Sequence, residues 1–260
     1  MSKELKVPCL ILDHDDTTVN STATVHYPAF AAYMKKFHPD VRITLEEYFR
    51  YNFEPGVIPF FTQICGMTEA ELPEEEAFWY EYVQHHIPQA YPGIREIIEE
   101  QQARGGKVCV ISHSFSENIR RDYRENGLPQ PDVVFGWESP PEQRKPAVWP
   151  LEQIMKTYGF RPEELLMVDD LKPGYDMAKA AGVPFAAAGW ANDIPEIEQF
   201  MRNNCGLYFK TVAGLSEYLF KCDRNKEITG NEPTDRASHR QGPGKDRHGR
   251  RNALDAFLPE

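Results

Sequence analysis

From Lys107 onward the chain alternates short apolar runs with amphipathic segments, and that rhythm constrains its fold more than any other feature. Val108–Ile111, Val133–Phe135, Leu165–Val168 and Phe185–Ala188 are continuous apolar runs rather than alternating ones, so each reads as a strand buried on both faces. Between and beyond them lie Phe115–Asn126, Ala147–Tyr158, Gly174–Ala181 and Ile194–Asn203, which carry helical periodicity. This pattern predicts a parallel sheet with helices on both faces. The breaks agree. Gly182 follows Lys179-Ala180-Ala181 as a C-terminal helix cap does, and Gly105-Gly106 stops the segment Ile94–Arg104 before the next strand.

Val7–Leu12 supplies a first strand far from the others in sequence. The intervening stretch holds Thr24–Phe37, Leu45–Tyr51, Val57–Cys65 and Glu74–His86, all helical in pattern and rich in aromatic residues. We therefore expect an α/β protein: a Rossmann-like, doubly wound parallel sheet built from residues 1–20 and 91–222, with residues 21–90 inserted as a helical cap. Tyr91-Pro92-Gly93 returns the chain to the core. Residues 223–260 lose all periodicity, and their Gly, Pro, Asn, Arg and His content predicts a disordered tail.

With 40 acidic against 29 basic residues, the formal net charge of −11 argues against nucleic acid and anionic membranes as partners. No apolar stretch approaches the roughly 20 residues that span a bilayer, and Met1-Ser2-Lys3-Glu4-Leu5-Lys6 lacks a signal-peptide core. Five cysteines without C-x-x-C spacing, Cys9 and Cys109 among them inside strand-like runs, fit buried free thiols. A cytoplasmic protein is expected.

Chemistry concentrates where the apolar runs stop. Leu12 is followed by Asp13-His14-Asp15, Ile111 by Ser112-His113-Ser114, and Val168 by Asp169-Asp170, while Lys145-Pro146 precedes a helical segment. Residues two apart on a strand share a face, so Asp13 and Asp15 turn toward one crevice. Crowded carboxylates there require a cation or an unequal division of protons between them. Carboxylates, a hydroxyl and an ammonium gathered at the carboxyl ends of a doubly wound sheet suit phosphoryl transfer with a hard divalent cation.

These residues resemble the haloacid dehalogenase superfamily, in its members with a helical cap inserted after the first strand. Its D-x-D-x-T motif stands as Asp13-His14-Asp15-Asp16-Thr17, its second-motif Ser as Ser112, its Lys as Lys145 and its acidic pair as Asp169-Asp170. The resemblance extends from residue 7 to about 220. It implies that Asp13 is the nucleophile, forming an aspartyl-phosphate, and that Asp15 is the acid and base. Ser112, the backbone amide of His113 and Lys145 would hold phosphate, and Mg²⁺ would sit on Asp13, the Asp15 carbonyl, Asp169 and Asp170. An acid at position 15 favours an alkoxide leaving group over halide. The expected activity is hydrolysis of a small phosphorylated metabolite. A phosphomutase resembling β-phosphoglucomutase and a catalytically weak phosphate-binding module are the alternatives.

Asp16 stands where the family usually has Gly, and Thr18 where it usually has an aliphatic residue. Asp tolerates left-handed backbone better than most residues, so the loop geometry can survive. Read singly, several candidates have ordinary explanations. Ser112 suits a helix N-cap, Lys145 a solvated lysine, and Glu138 and Asp176 solvated positions. His14 points away from the aspartates and is expected to pack. His26 lies near the first motif but not at the spacing of a mutase cap base, and the neighbours His85-His86 cannot face each other on a helix. The cap aromatics are core by default, with those near Glu54-Pro55-Gly56 candidates for touching substrate.

Overall fold

The computed structural model describes residues 5–221, which form one compact unit. The tail expected at 223–260 lies outside the described residues. Among the described residues there are eight strands: β1 Cys9–Leu12, β2 Val19–Asn20, β3 Gln89–Ala90, β4 Lys107–Ile111, β5 Val133–Phe135, β6 Leu165–Asp169, β7 Phe185–Ala188 and β8 Leu207–Phe209. In the same residues there are ten α-helices: α1 Tyr27–Phe37, α2 Leu45–Phe53, α3 Val57–Pro59, α4 Leu72–Gln84, α5 Ile94–Ala103, α6 Ser116–Glu125, α7 Trp149–Tyr158, α8 Lys172–Ala181, α9 Pro195–Asn204 and α10 Val212–Phe220.

The main sheet is wholly parallel in the order β5-β4-β1-β6-β7-β8. The chain builds β4 and β5 on one side of β1, then crosses to place β6, β7 and β8 on the other. β1 is therefore the switch point, and a crevice opens beyond its carboxyl end. The period of two decides which helices cover which face. Cys9, Ile11, Cys109, Ile111, Leu165 and Met167 pack with Leu151, Ile154, Met177 and Ile197 from α7, α8 and α9. Leu10, Leu12, Val108, Val110, Leu166 and Val168 pack with Ile94, Ile97, Ile119, Tyr123 and Leu215 from α5, α6 and α10. Both faces are buried, which is why the strands carry no polar alternation.

The insertion leaves and returns through a two-stranded antiparallel ribbon, with Val19 opposite Ala90 and Asn20 opposite Gln89. Between these strands the helices surround an aromatic cluster of their own, including Phe30, Tyr33, Tyr48, Phe60 and Phe61. Phe49 and Phe53 of α2 join the core cluster of the sheet instead, so the same helix contributes to both. Local signals set the boundaries of α2: Thr44 and Glu47 form a reciprocal capping box at its start. Gly182 closes α8 in the left-handed conformation, as expected.

Two segments differ from the sequence reading. Thr24–Phe37 is not a single helix, because Thr22–His26 forms a π turn in which the His26 N–H reaches back to the Ser21 carbonyl at 3.0 Å. A second π turn spans Phe60–Ile64 after the short α3. The edge strand β8 and α10 were not expected from the sequence. Cys9, Cys65, Cys109 and Cys205 are free, with 4.0 Å between the sulfurs of Cys9 and Cys109; Cys222 lies outside the described residues. No helix among the described residues is long and apolar enough to cross a membrane.

Candidate active site

Backbone hydrogen bonds carry the sheet geometry past the strand ends and into the site. The Asp13 N–H donates to the Val168 carbonyl at 2.9 Å, and the Thr18 hydroxyl donates to the Asp13 carbonyl at 2.7 Å. Asp16 adopts φ 58°, the left-handed conformation that glycine would take most easily, and its Oδ1 accepts the Thr22 N–H at 3.2 Å. The substitution thus keeps the turn and fastens it to the start of the π turn. Thr18, fully buried, spends its hydroxyl on the main chain of the nucleophile candidate.

Asp13, Asp169 and Asp170 each place a carboxylate oxygen within 4.8 Å of the others. Lys145 is buried among them, its Nζ 2.8 Å from Asp13 Oδ1 and 2.7 Å from Asp169 Oδ2, so it is not the solvated lysine its sequence context allows. The second oxygen of Asp169 accepts the Leu171 N–H at 2.8 Å. Gly174 leaves room for this carboxylate, since a Cβ there would lie 2.1 Å from Asp169 Oδ2. Burial first, then the neighbouring carboxylates, pushes Asp13 and Asp170 well above the usual carboxylate range despite Lys145. Lys145 itself is raised, because Asp13 and Asp169 outweigh the effect of its burial. A buried oxygen-donor cluster with surplus negative charge fits a hard divalent cation.

Asp15 stands apart from this cluster. Burial favours its protonation, but His26 and Ser114 outweigh it and hold the carboxyl well below its ordinary range. The His26 Nε2 lies 2.8 Å from Asp15 Oδ1, while Ser114 Oγ and Ser112 Oγ donate to Oδ2 at 2.6 and 3.3 Å. The Trp79 indole N–H donates to His26 Nδ1 at 2.9 Å. Indole is a donor only, so in this geometry Nδ1 is unprotonated and Nε2–H donates to Asp15. Asp15 raises the affinity of His26 for a second proton despite burial, but Trp79 occupies the position that proton would take. The π turn explains how His26 reaches Asp15 from a spacing that had argued against it. The turn bonds the N–H groups of His26 and Tyr27 to the carbonyls five residues back, and the ring of its last residue lies against the carboxylate.

Among the other expected residues, Ser112 does not cap α6. Phe115 occupies that position, and Ser112 Oγ accepts the Ser114 N–H at 3.1 Å. His113 Nε2 donates to the Lys145 carbonyl at 3.0 Å, and burial together with Lys145 pushes the ring down to about 4, so it is neutral. His14 packs on Tyr123 and pairs with Asp122 at 3.1 Å, as its outward direction predicts. Glu138 is exposed but accepts the Ser116 N–H at the start of α6.

Asp13, Asp15, Ser112, His113, Lys145 and Asp170 all line one cavity of about 170 Å³, whereas Asp169 stands behind Lys145 with no exposed surface. The opposite wall comes from the insertion and includes Tyr48, Phe61, Glu75 and Trp79. Sequence reasoning set His26 aside on its spacing and did not single out Ser114, Trp79 or Glu75 as site residues. The nearness of His26 to the first motif and the position of Ser114, two residues beyond a strand-end Ser112, were the signals available.

Residues 10–188 match the haloacid dehalogenase-like hydrolase family. The chain belongs to this family. Among curated relatives of this hydrolase, the pyrophosphatase PpaX of Bacillus cereus is 22% identical over 190 residues, covering 72% of this chain and 85% of the relative. A phosphoglycolate phosphatase of Vibrio vulnificus is 29% identical over 105 residues, 40% of this chain and 46% of that protein. A haloacid dehalogenase-like hydrolase of Bacteroides fragilis superposes with a TM-score of 0.67 at 20% identity, over 81% of this chain and all of its own length, which supports the fold.

Proposed function

We propose that this hydrolase is a Mg²⁺-dependent phosphatase that cleaves a small phosphorylated metabolite through an aspartyl-phosphate on Asp13. The observation that carries the reading is the separation of two aspartates in one cavity. Asp13 sits with Lys145 and the Asp169–Asp170 pair, while Asp15 sits with His26 and Ser114. Two carboxylates in such different surroundings suit two different tasks. Both curated relatives carry phosphatase names, which agrees.

In this reading Asp13 Oδ attacks phosphorus and the phosphorus–oxygen bond to the alcohol breaks. Lys145 offsets the charge that develops on the phosphoryl oxygens, with Ser112 and the His113 amide as further donors. Asp15 gives the departing alkoxide a proton, then takes one from the water that hydrolyses the acyl phosphate. A phosphate dianion beside Asp15 raises its proton affinity, countering the depression by His26 and Ser114. Mg²⁺ would be held by Asp13, Asp170 and the Asp15 carbonyl, with Asp169 as ligand or as the group orienting Lys145, and would supply charge neutralisation around the phosphoryl group. The division into a core of residues 1–20 and 91–222 and a cap of 21–90 belongs to the same proposal, with the cap excluding water from the reaction. Free thiols fit a reducing, cytoplasmic setting.

The mutase remains the second reading, because the contact of His26 with Asp15 removes the spacing argument against it. The test is release of inorganic phosphate from a panel of phosphate monoesters with Mg²⁺, with chelator, and by Asp13→Asn. Metal-dependent release lost in the variant supports the phosphatase. Isomerised ester without free phosphate supports the mutase, and no conversion of any ester overturns both.

A further inference from the structure

We propose that the alcohol released at this site is cationic, so that the substrate is a phosphate monoester of a small amino alcohol. The inference rests on the phosphatase reading and extends it to the leaving group.

Glu75, in the first turn of α4, is 7% exposed and lines the cavity. No hydrogen bond or ion pair to a described residue holds its carboxylate, whose oxygens are not sealed off from the cavity. Its neighbour Glu76 differs, accepting the Trp137 indole N–H at 2.7 Å. A buried ionisable group is normally paired, and an unpaired one facing a cavity is available to a ligand. Burial pushes Glu75 up to about 7, and a cation alongside would draw it back.

The sign of the missing partner follows from the rest of the wall. The cavity is lined by Glu75 and Glu76 on the insertion side, with neither lysine nor arginine there. Lys145 is committed to Asp13 and Asp169. A leaving group with its own carboxylate or phosphate would meet two glutamates, and the basic side chain on that wall, His26, has both ring nitrogens engaged by Asp15 and Trp79. Phosphoglycolate and pyrophosphate, the compounds in the relatives' names, both present such a second anion. A plain hydroxyl would give Glu75 a hydrogen bond but leave its charge uncompensated. An ammonium gives both, and Tyr48, Phe61 and Trp79 surround the same space with aromatic surface that favours a cation.

Three esters of nearly equal size separate the possibilities: 2-aminoethyl phosphate, n-propyl phosphate and phosphoglycolate. The wild-type enzyme with saturating Mg²⁺ should show kcat/KM for the aminoethyl ester about tenfold or more above propyl, with phosphoglycolate lowest. In Glu75→Gln the aminoethyl-to-propyl ratio should collapse to about one, and phosphoglycolate should gain relative to both. A wild-type preference for propyl phosphate or phosphoglycolate overturns the proposal while leaving the phosphatase reading intact. So does a ratio unchanged in Glu75→Gln. Failure to release phosphate from any of the three, or from p-nitrophenyl phosphate, removes the phosphatase reading and this proposal with it.

Discussion

Replacing Glu75 with Gln should stabilise the protein above neutral pH, because the fold holds this carboxyl where its ionised form is poorly solvated. Burial, with Glu76 adding to it and His26 opposing, moves the group from 4.5 to about 7. Tyr33, Tyr48 and Cys65 are the other titratable groups that feel its charge, and all three are raised. A carboxyl raised in the folded state favours folding while protonated in both states and loses that advantage as pH climbs through the folded value. The loss therefore begins near 4.5 and is complete somewhat above 7. At 1.36 kcal/mol per pH unit it amounts to about 3 kcal/mol. For a chain of this size that corresponds to about 5–10 °C in melting temperature. Thermal melts of wild type and Glu75→Gln from pH 4.5 to 9, without divalent cation, measure it directly. The curves should nearly coincide at pH 4.5, diverge from about pH 5 upward and run parallel above about pH 7.5, with the variant higher. A variant equal to or less stable than wild type at pH 8.5, or a difference constant across the range, would mean that this carboxylate is solvated or paired in the folded protein.

Three further outcomes follow from the site. Lys145→Met leaves Asp13 and Asp169 without their shared cation, so it should cost about 3–5 kcal/mol in chelator and recover more stability from added Mg²⁺ than wild type does; equal melting of the two proteins in chelator would contradict this. Gly174→Ala puts a methyl group where Asp169 Oδ2 now lies, and should lower kcat/KM roughly tenfold and raise the Mg²⁺ concentration needed for half-maximal rate; a titration matching wild type would show that Asp169 is not held there. Trp79→Phe removes the donor that fixes His26 and should lower kcat roughly tenfold with a smaller change in KM; steady-state kinetics that move only KM would place Trp79 in binding rather than in positioning His26.

The strands β1, β4, β6 and β7 were legible because they are buried on both faces, and β5 at the edge because it is a β-branched apolar run. β5 and β7 have the bounds their apolar runs imply, and β1, β4 and β6 differ by only one or two residues. β8 is as short and as partly buried as β5 at the opposite edge, but its Leu-Tyr-Phe has no β-branched residue, whereas the Val-Val-Phe of β5 does. The ribbon of β2 and β3 is two residues long on each side, too short for periodicity to register. In the site, Asp13, Asp15, Ser112, Lys145, Asp169 and Asp170 could be found because each sits at or just beyond a strand end or, for Lys145, ahead of a helix. His26 could not, since the π turn that delivers it depends on hydrogen bonds that residue spacing does not reveal. Glu75 and Trp79 belong to a helix whose aromatic residues read as core of the insertion, and their approach to the cavity depends on how α4 docks.

Acid-quench mass spectrometry of the enzyme during turnover of a good phosphate monoester shows whether Asp13 carries the phosphoryl group. A phosphoryl group is expected on the peptide containing Asp13, labile to hydroxylamine, decaying as inorganic phosphate accumulates and absent from Asp13→Asn. Phosphate release that proceeds at the wild-type rate in Asp13→Asn, or with no phosphorylated Asp13 at any time during turnover, would contradict this role of Asp13.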